Sequence, residues 1–237
     1  MLDYIRQIEV FDPDTFNTPV HVIGAGATGS WLVLALAKLG IKNITVWDFD
    51  DIEEHNIPNQ AYRKHVTTRE AWAWNDEDTD VGRPKVTALQ QLAWEMSDIT
   101  VNIKNEAVTG ATRLEGIVIC MTDTMKSRKE IWEGAVKFKV PVKLYIEPRM
   151  GLDSGRLYCV DPMNLRHIEN YERTFYTDEE AEESACGASQ SVVATAMMIA
   201  SMVAWRVINY HNGEDMANQY LIDCRHKCGI MMNNWEG

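Results

Sequence analysis

The sequence predicts an α/β protein built on a doubly wound, mainly parallel sheet. Apolar strand-like segments alternate with helical patterns from residue 20 to residue 146, which is typical of consecutive strand–helix–strand units. The first of these units has a glycine-rich turn between its strand and its helix. After residue 150 the pattern changes to a hairpin and one long apolar helix. We therefore expect a nucleotide-binding half followed by a C-terminal hairpin and helix elaboration.

The glycine-rich turn carries the pattern of a nucleotide-binding loop. A strand, Val20–Ile23, runs into the sequence GAGATG, and the helix that follows extends to about Leu39. Gly24 permits the tight turn, Gly26 lets a phosphate approach backbone N–H groups, and Gly29 lets the helix pack closely on the strand. The unpaired N–H groups at the start of the helix attract negative charge. The alternative is a glycine turn that serves packing alone.

Further polar groups follow the ends of other expected elements. A second strand, Ile44–Trp47, ends at Asp48, which is placed to bond a ribose hydroxyl and completes a Rossmann-like unit. Lys85 follows a Gly-Arg-Pro turn, and Asp123 follows a buried strand. Because ligands bind beyond the carboxyl ends of the strands in open α/β sheets, we expect these groups and the glycine turn to face one nucleotide.

The remaining elements are expected from periodicity and turn residues. Residues 51–80 form a polar crossover, and the segment VGRPK opens a helix at Lys85 with apolar residues at helical spacing. The parallel part of the sheet is completed by strands over residues 99–106, 116–120 and 142–146 and a helix over residues 126–139. The last third is expected to hold a hairpin strand over residues 152–160, a polar and mobile crossover over 164–186, a long helix over 188–210 and a final strand over 218–223.

Length, charge and cysteine content restrict the class of protein. A chain of 237 residues fits one domain over residues 1–237, and the net charge of −12 argues against nucleic acid as a partner. The five cysteines are odd in number and scattered, and the first residues show no signal pattern, so we expect a cytoplasmic protein with reduced thiols. The apolar run 192–205 is shorter than the roughly 20 residues of a membrane span, which predicts a buried helix and no membrane.

Several motifs together resemble the ThiF/MoeB/HesA family, the bacterial relatives of ubiquitin-activating enzymes. An opening Tyr-x-Arg-Gln-Ile spans residues 4–8, and the family's V-G-x-P-K is matched by VGRPK at residues 81–85. The sequence DFD at residues 48–50 is followed by an Asn-containing segment that ends in Gln. The family's Thr-Asp at a strand end is matched by Thr122 and Asp123, and its Arg-Met on a hairpin by Arg149 and Met150.

The resemblance implies an enzyme that binds ATP and adenylates the C-terminal carboxylate of a ubiquitin-like or sulfur-carrier protein, with release of pyrophosphate. In such a site Lys85 would neutralise phosphate charge, Asp123 would hold Mg²⁺ and Asn56 would donate to the phosphates. The acceptor's tail would lie along the hairpin near residues 145–149. In the family the Arg of the opening motif reaches the ATP site of the partner subunit, so Arg6 implies a homodimer.

The resemblance thus gives catalytic roles to Arg6, Lys85, Asp123 and Cys186. The residues expected to contact the nucleotide are Gly24, Gly26, Ala27, Thr28, Gly29, Asp48, Asp50, Asn56, Asn59 and Lys85. Simpler roles stay open for four of these residues. In these simpler roles Lys85 would be a solvated charge at a helix start, and Asp123 would cap a helix at Lys126. Arg6 would be a surface residue, and Asn56 would be a turn residue.

The chain departs from the family pattern at two points. Asn59 stands where members commonly carry an Arg that contacts the phosphates, and Arg63 or Lys64 is the candidate substitute. Many members also hold a structural Zn²⁺ with two Cys-x-x-Cys pairs. Here the spacing differs, so we expect no zinc at the available side chains, which are Cys159, Cys224, His226 and Cys228.

Two cysteines have distinct expectations. Cys186 precedes the long helix, where relatives often carry a cysteine that takes part in thioester or acyl-disulfide chemistry. A helix N-terminus favours the thiolate, whereas the carboxylates of Glu182 and Glu183 oppose it, so Cys186 is either a catalytic thiol or an incidental small residue. Cys120 lies in an apolar strand and is expected in the core.

Two other functions remain open on the sequence alone. A NAD-dependent oxidoreductase would use the glycine turn and Asp48 but would need neither Lys85 nor Asp123. A nucleotide-binding scaffold without catalytic activity would bind ATP, and Asn59 in place of an Arg suggests it.

Overall fold

The computed structural model describes residues 3–66, 79–177, 192–225 and 229–235. Its strands are β1 (Val20–Ile23), β2 (Ile44–Trp47), β3 (Asn102–Lys104), β4 (Gly116–Cys120), β5 (Val142–Met150), β6 (Ser154–Val160), β7 (Gln219–Asp223) and β8 (Gly229–Asn233). Its α-helices are α1 (Ala27–Lys38), α2 (Lys85–Ser97), α3 (Met125–Ile131), α4 (Leu165–Glu172) and α5 (Val193–Asn212). A 3₁₀ turn covers Glu54–Asn56, and a π-helical turn, Trp132–Val136, continues α3.

All eight strands belong to one mixed sheet in the order β3-β2-β1-β4-β5-β6-β7-β8. The five strands from β3 to β5 run parallel, and the strands from β5 to β8 pair antiparallel. β1 lies between β2 and β4, which places the glycine-rich turn near the middle of the parallel half. The predicted nucleotide-binding half and the C-terminal elaboration are thus both present in one sheet.

Alternate residues of the central strands contribute to two cores, one on each face of the sheet. In β4, Ile117 and Ile119 join the core under α1, α2 and α5, whereas Val118 and Cys120 join the core under α3 and α4. This alternation follows from the two-residue period of a strand and explains why β4 is apolar and buried throughout. The doubly wound α/β class predicted from the sequence is confirmed, as is the core position of Cys120.

The helix α5 packs across α1, β5 and β6. With 20 residues it is, among the described residues, the one helix long and apolar enough to cross a membrane. Its buried face includes Ile199, Val203 and Val207, which lie at helical spacing and join the core of the sheet. The predicted buried helix is therefore present, although it is longer than the apolar run of residues 192–205.

The C-terminal part differs most from the sequence predictions. The sequence predicts a mobile crossover over all of residues 164–186, yet this segment contains α4, whose Asn164 cap accepts hydrogen bonds from the N–H groups of Arg166 and His167. Ile168 and Tyr171, three positions apart on α4, are buried, and the acidic composition around them conceals this short apolar stripe. Residues 178–191 lie outside the described residues.

Three strand predictions also change. β3 covers Asn102–Lys104 rather than residues 99–106, because its neighbour β2 is only four residues long. β5 continues to Met150 because it forms an antiparallel hairpin with β6. The strand at β7 is not the last, since β8 pairs with it and forms the edge of the sheet.

Candidate active site

The glycine turn connects β1 to α1 and is shaped by close backbone contacts. Gly24 has a φ of +100°, and a Cβ there would lie 2.8 Å from the carbonyl oxygen of Met121. A Cβ on Gly29 would lie 1.9 Å from the carbonyl oxygen of Gly24, which forces α1 against β1. A Cβ on Gly26 would meet nothing within 4 Å. Gly24 and Gly29 therefore serve packing, while Gly26 leaves an open approach to the start of α1.

Asp48 at the end of β2 braces this turn. Its Oδ2 atom accepts a hydrogen bond from the N–H of Ala25 at 2.6 Å, and its Oδ1 atom accepts one from the N–H of Asp50 at 2.9 Å. Burial raises the pKa of the Asp48 carboxyl above its ordinary value, more than these two N–H groups lower it. Bracing the turn is a role that the sequence did not indicate, and it fixes the carboxylate at the end of β2.

Lys85 begins α2 and is held beside the end of β2. The segment 82–85 pairs with residues 50–52. The N–H of Ile52 donates to the carbonyl of Arg83 at 2.9 Å, and the N–H of Lys85 donates to the carbonyl of Asp50 at 3.0 Å. The ammonium group of Lys85 donates to Oδ2 of Asp50 at 2.8 Å, and only 9% of the lysine side chain is exposed. A solvated charge at a helix start is therefore the wrong description of Lys85.

Asp123 lies in the turn between β4 and α3. The cap of α3 is Thr124, whose Oγ1 accepts from the N–H of Ser127 at 3.2 Å, so the alternative in which Asp123 caps this helix is wrong. The carboxylate of Asp123 is exposed and makes no hydrogen bond or ion pair with the residues that the structure describes. It is therefore available to a ligand.

One cavity of about 250 Å³ brings these groups together. It is lined by Gly24, Gly26, Asp48, Asp50, Lys85 and Asp123, all of which the sequence singled out. It is also lined by residues that the sequence did not single out, among them Glu106, Ala107, Val108 and Ser127. Glu106 and Val108 follow β3, so the rule that ligands bind beyond strand ends would have found them had it been applied to that strand.

Five of the predicted nucleotide contacts do not line the cavity, namely Ala27, Thr28, Gly29, Asn56 and Asn59. Thr28 is buried, and its hydroxyl donates to the sulfur of Met150 at 3.6 Å, while Ala27 begins α1 beside the open side of the turn. Asn56 is buried, and its Oδ1 atom accepts from the N–H of Glu53 at 2.9 Å. This bond caps the 3₁₀ turn and supports the turn role left open for Asn56.

Asn59 and its candidate substitutes lie beside α1 and α2. The carbonyl of Asn59 accepts from the indole N–H of Trp31 at 3.1 Å. The guanidinium of Arg63 is held by Oδ2 of the fully buried Asp80 at 3.0 Å and by Oε2 of Glu95 at 2.5 Å. Arg63 is therefore occupied and does not replace the missing phosphate contact. Lys64 is exposed and pairs with Glu54 at 3.4 Å.

Arg6 lies at the other end of α1 from the glycine turn. Its neighbour Gln7 donates from Nε2 to the carbonyl of Leu39 at 2.9 Å, directly after the last residue of α1. The 12 residues of α1 span about 18 Å, so the exposed Arg6 is remote from the cavity of its own chain. Any contact of Arg6 with a nucleotide must therefore be made in another copy.

The remaining cysteine predictions concern residues spread across the fold. Cys186, His226 and Cys228 lie outside the described residues. Burial raises the pKa of the Cys159 thiol to about 12, and the thiol of Cys224 contacts the sulfur of Met198 at 3.5 Å. Within the described parts of the chain no group of three or more His, Cys, Asp or Glu side chains is arranged to hold a metal ion.

Known proteins share both the sequence pattern and the fold. The molybdopterin-synthase adenylyltransferase of Salmonella typhimurium is 28% identical over 154 residues, which cover 60% of this chain and 57% of that protein. The sulfur carrier protein ThiS adenylyltransferase of Escherichia coli is 27% identical over 151 residues, which cover 59% of this chain and 55% of that protein. The chain thus spans little more than half the length of these relatives.

Two solved structures show the same fold over nearly all of the chain. Selenomethionine PaaA superposes with a TM-score of 0.67 and 17% identity, covering 98% of this chain and 72% of PaaA. E. coli MccB solved with ATP superposes with a TM-score of 0.66 and 18% identity, covering 96% of this chain and 66% of MccB. A family model of the ThiF family matches residues 6–233. With this match over most of its length, and with the glycine turn, Lys85 of VGRPK and Thr122-Asp123 around one cavity, the chain belongs to the ThiF family.

Proposed function

We propose that this protein is an ATP-dependent adenylyltransferase that activates the C-terminal carboxylate of a ubiquitin-like or sulfur-carrier protein. The observation that carries the proposal is the convergence of the open glycine turn, Asp48, Lys85 and Asp123 on one cavity. A dehydrogenase needs the first two features and not the last two. The two curated adenylyltransferases similar to this chain support the same reaction class.

ATP fits the residues present. The apolar wall formed by Ile23, Trp47 and Val108 suits a base, and Asp48 at the end of β2 suits a ribose hydroxyl. The phosphates would pass over Gly26, where the backbone is open and the first N–H groups of α1 lack a side-chain cap. Lys85 borders the same space and carries the positive charge that phosphate oxygens require.

Mg²⁺ also fits the donor set. This ion usually keeps several waters and is bound by one or two carboxylates together with substrate phosphates. The exposed carboxylate of Asp123 supplies one such ligand at the edge of the cavity. When bound, Mg²⁺ would reduce the charge repulsion between the phosphates and an incoming carboxylate.

The reaction follows from charge stabilisation rather than from a protein nucleophile. An oxygen of the acceptor's carboxylate forms a bond to the α-phosphorus of ATP, and the bond from that phosphorus to the α–β bridging oxygen breaks. The products are an acyl-adenylate and pyrophosphate. Lys85 stabilises the charge on the phosphates during this exchange, and no protein side chain changes its covalent bonds. Cys186 would act only afterwards, when its thiolate would form a thioester bond to the acyl carbon while the bond from that carbon to the adenylate oxygen breaks and AMP leaves.

The charge balance of the cavity favours a homodimer. The described lining carries four carboxylates, Asp48, Asp50, Glu106 and Asp123, against the single cation Lys85. A triphosphate adds further negative charge, and one Mg²⁺ leaves the loaded site net negative, so a further cation would stabilise it and Arg6 of a second copy would supply that charge. The exposed Ile5 and Ile8 beside Arg6 and the exposed Trp205 of α5 provide apolar surface for this contact.

The protein would act in the cytoplasm on a soluble acceptor, without nucleic acid or membrane as a partner. The test measures melting temperature with Mg-ATP and with NAD, and then pyrophosphate exchange with candidate tails that end in glycine. A large shift with Mg-ATP and exchange with one tail are expected. A larger shift with NAD would favour an oxidoreductase, and ATP binding without exchange for any tail would favour a scaffold.

A further inference from the structure

A buried ionic cluster lies directly behind the turn that carries Asp123. It consists of Arg128 on α3 and of Glu147 and Arg149 on β5, of which Glu147 is fully buried and both arginines are less than 10% exposed. Glu147 accepts hydrogen bonds from both guanidinium groups and from the hydroxyl of Tyr171 on α4. The cluster therefore joins α3, the central strand β5 and α4 at one point.

Arg128 connects this cluster to the edge of the cavity. Its Nε atom donates to the carbonyl of Thr122 at 2.8 Å, while its Nη1 atom donates to Glu147 and, at 3.2 Å, to the carbonyl of Pro148. Thr122 lines the cavity and is bonded to Asp123 through the same peptide unit whose oxygen Arg128 holds. Any rotation of that peptide would move the carboxylate of Asp123.

The buried groups of this cluster are charged, and each of them makes several hydrogen bonds. Burial alone raises the pKa of Glu147, but the nearby charge of Arg128 and the hydrogen bonds from Arg149 hold it below its ordinary value. Arg149 is further fixed by its bonds to the carbonyl of Thr174 at 2.8 Å and to the hydroxyl of Thr174 at 3.0 Å. Buried ion pairs add little stability compared with apolar packing, so a cluster of this kind is better explained by what it positions.

On the basis of the proposed function, we propose that Arg128 is a positioning residue that fixes the Asp123 carboxylate by anchoring the Thr122 carbonyl to β5. The sheet, rather than the exposed turn itself, then sets where the carboxylate stands beside the phosphates. Partners that orient a metal ligand commonly matter nearly as much as the ligand. The variant Arg128→Lys keeps the charge but replaces the two separate donor atoms, Nε and Nη1, by one ammonium group, so the fixed geometry of the bond to Thr122 or to Glu147 is expected to be lost.

The test compares ATP affinity by calorimetry in excess Mg²⁺ and in EDTA, and the ratio of the two affinities is the magnesium factor. Asp123→Asn is expected to remove this factor. Arg128→Lys should lower it by at least about tenfold, while changing affinity in EDTA by no more than about twofold. The matched control is Arg206→Lys, since Arg206 makes a partly buried hydrogen bond to the hydroxyl of Tyr220 at 2.5 Å but lies on α5 away from the cavity. Its magnesium factor should equal that of the wild type.

The double variant, Arg128→Lys with Asp123→Asn, separates an effect on the position of Asp123 from a general weakening of ATP binding. If Arg128 acts through Asp123, the double variant should lose no more of the magnesium factor than Asp123→Asn alone. An unchanged factor in Arg128→Lys, with the factor lost in Asp123→Asn, would overturn the inference and leave the proposed function standing. A factor that survives Asp123→Asn would overturn the metal role of Asp123 and the inference with it.

Folding is checked by near-ultraviolet circular dichroism before any titration. If Arg128→Lys does not fold, Glu147→Gln takes its place, because it keeps the shape of the side chain and removes the charge that holds Arg128. A folded Glu147→Gln protein should also lose most of the magnesium factor. Failure of both variants to fold would count against the inference, since the cluster would then be a requirement of folding.

Discussion

Replacing Gly26 and Gly29 of the turn by alanine, one at a time, tests the phosphate and packing roles separately. Gly26→Ala adds a methyl group that meets nothing within 4 Å, at a φ of −76°, which lies outside the left-handed region. The stability of the unliganded protein should therefore change by less than about 1 kcal/mol. The added methyl group lies on the open side of the turn, so it should keep a phosphate from the N–H groups there.

The size of the effect on ATP binding follows from the hydrogen bond that the phosphate can no longer accept. A hydrogen bond from an N–H to a charged group contributes about 1.5–3 kcal/mol, which corresponds to a reduction of roughly 10- to 150-fold in ATP affinity. At an ATP concentration of about 100 times the wild-type Kd, the wild type gains about 2.7 kcal/mol, and a variant with hundredfold weaker binding gains about 0.4 kcal/mol. For a chain of this size the ATP-induced rise in Tm should fall from roughly 5–10 °C to about 1 °C.

Differential scanning fluorimetry with and without Mg-ATP measures both quantities. Gly29→Ala is the matched comparison, because its Cβ would lie 1.9 Å from the Gly24 carbonyl oxygen and should lower the Tm of the unliganded protein by several degrees. A Gly26→Ala protein that keeps the full ATP-induced shift would refute the assignment of phosphate binding to this turn. An unliganded Gly29→Ala protein as stable as the wild type would refute the close packing of α1 on β1.

Three further predictions concern assembly, chemistry and pH. Arg6→Ala and Lys85→Ala should each abolish pyrophosphate exchange. Mixing the two proteins should restore up to about a quarter of the sites, because random pairing makes half of the dimers heterodimers, each with one intact site. No recovery of exchange on mixing, or an active monomer by light scattering, would exclude action of Arg6 in trans. Asp123→Asn should abolish pyrophosphate exchange, whereas Cys186→Ala should leave exchange unchanged. Cys186→Ala should also remove any thiol-sensitive adduct that intact-mass analysis detects with an acceptor. An unaltered adduct in Cys186→Ala would place the nucleophile at another residue. The pKa of Glu147 is lowered from its ordinary 4.5, so its contribution to stability is present above that pH and is lost as the pH falls through the lowered pKa. Urea unfolding between pH 3 and 7 should therefore show a weaker acid dependence for Glu147→Gln than for the wild type, and parallel curves would contradict this reasoning.

The nucleotide-binding half could be predicted from the sequence because its signals are local. The bounds of β1, β2, β4 and the start of α2 follow from apolar runs and from the glycine and proline residues between them. The approach of Asp48, Lys85 and Asp123 to one cavity follows from one rule about the ends of parallel strands. Such rules need no knowledge of side-chain packing.

The missed features depend on contacts between distant parts of the chain. Glu147 lies in an apolar strand and reads as an isolated acid, because its partner Arg128 is 19 residues away and meets it only through the pairing of β5 with β4. Arg63 is a reasonable substitute for a missing phosphate contact on the sequence alone, but Asp80 and Glu95 hold it in the fold. The sequence does not reveal α4, because its buried stripe has only Ile168 and Tyr171 among polar neighbours.

The pairing of Arg63 with Asp80 has a consequence for how the chain tolerates change in length. The two residues bond reciprocally, since the N–H of Asp80 donates to the carbonyl of Arg63 at 3.1 Å and the N–H of Arg63 donates to Oδ2 of Asp80 at 2.8 Å. The chain on the two sides of residues 64–79 is thus fixed at one hydrogen-bonded pair. Insertions between Arg63 and Asp80 should lower the free energy of unfolding only slightly, because doubling the length of a closed segment costs about 0.6 kcal/mol of closure entropy. We therefore expect a peptide tag or reporter domain inserted between Arg63 and Asp80 to leave Lys85 in place.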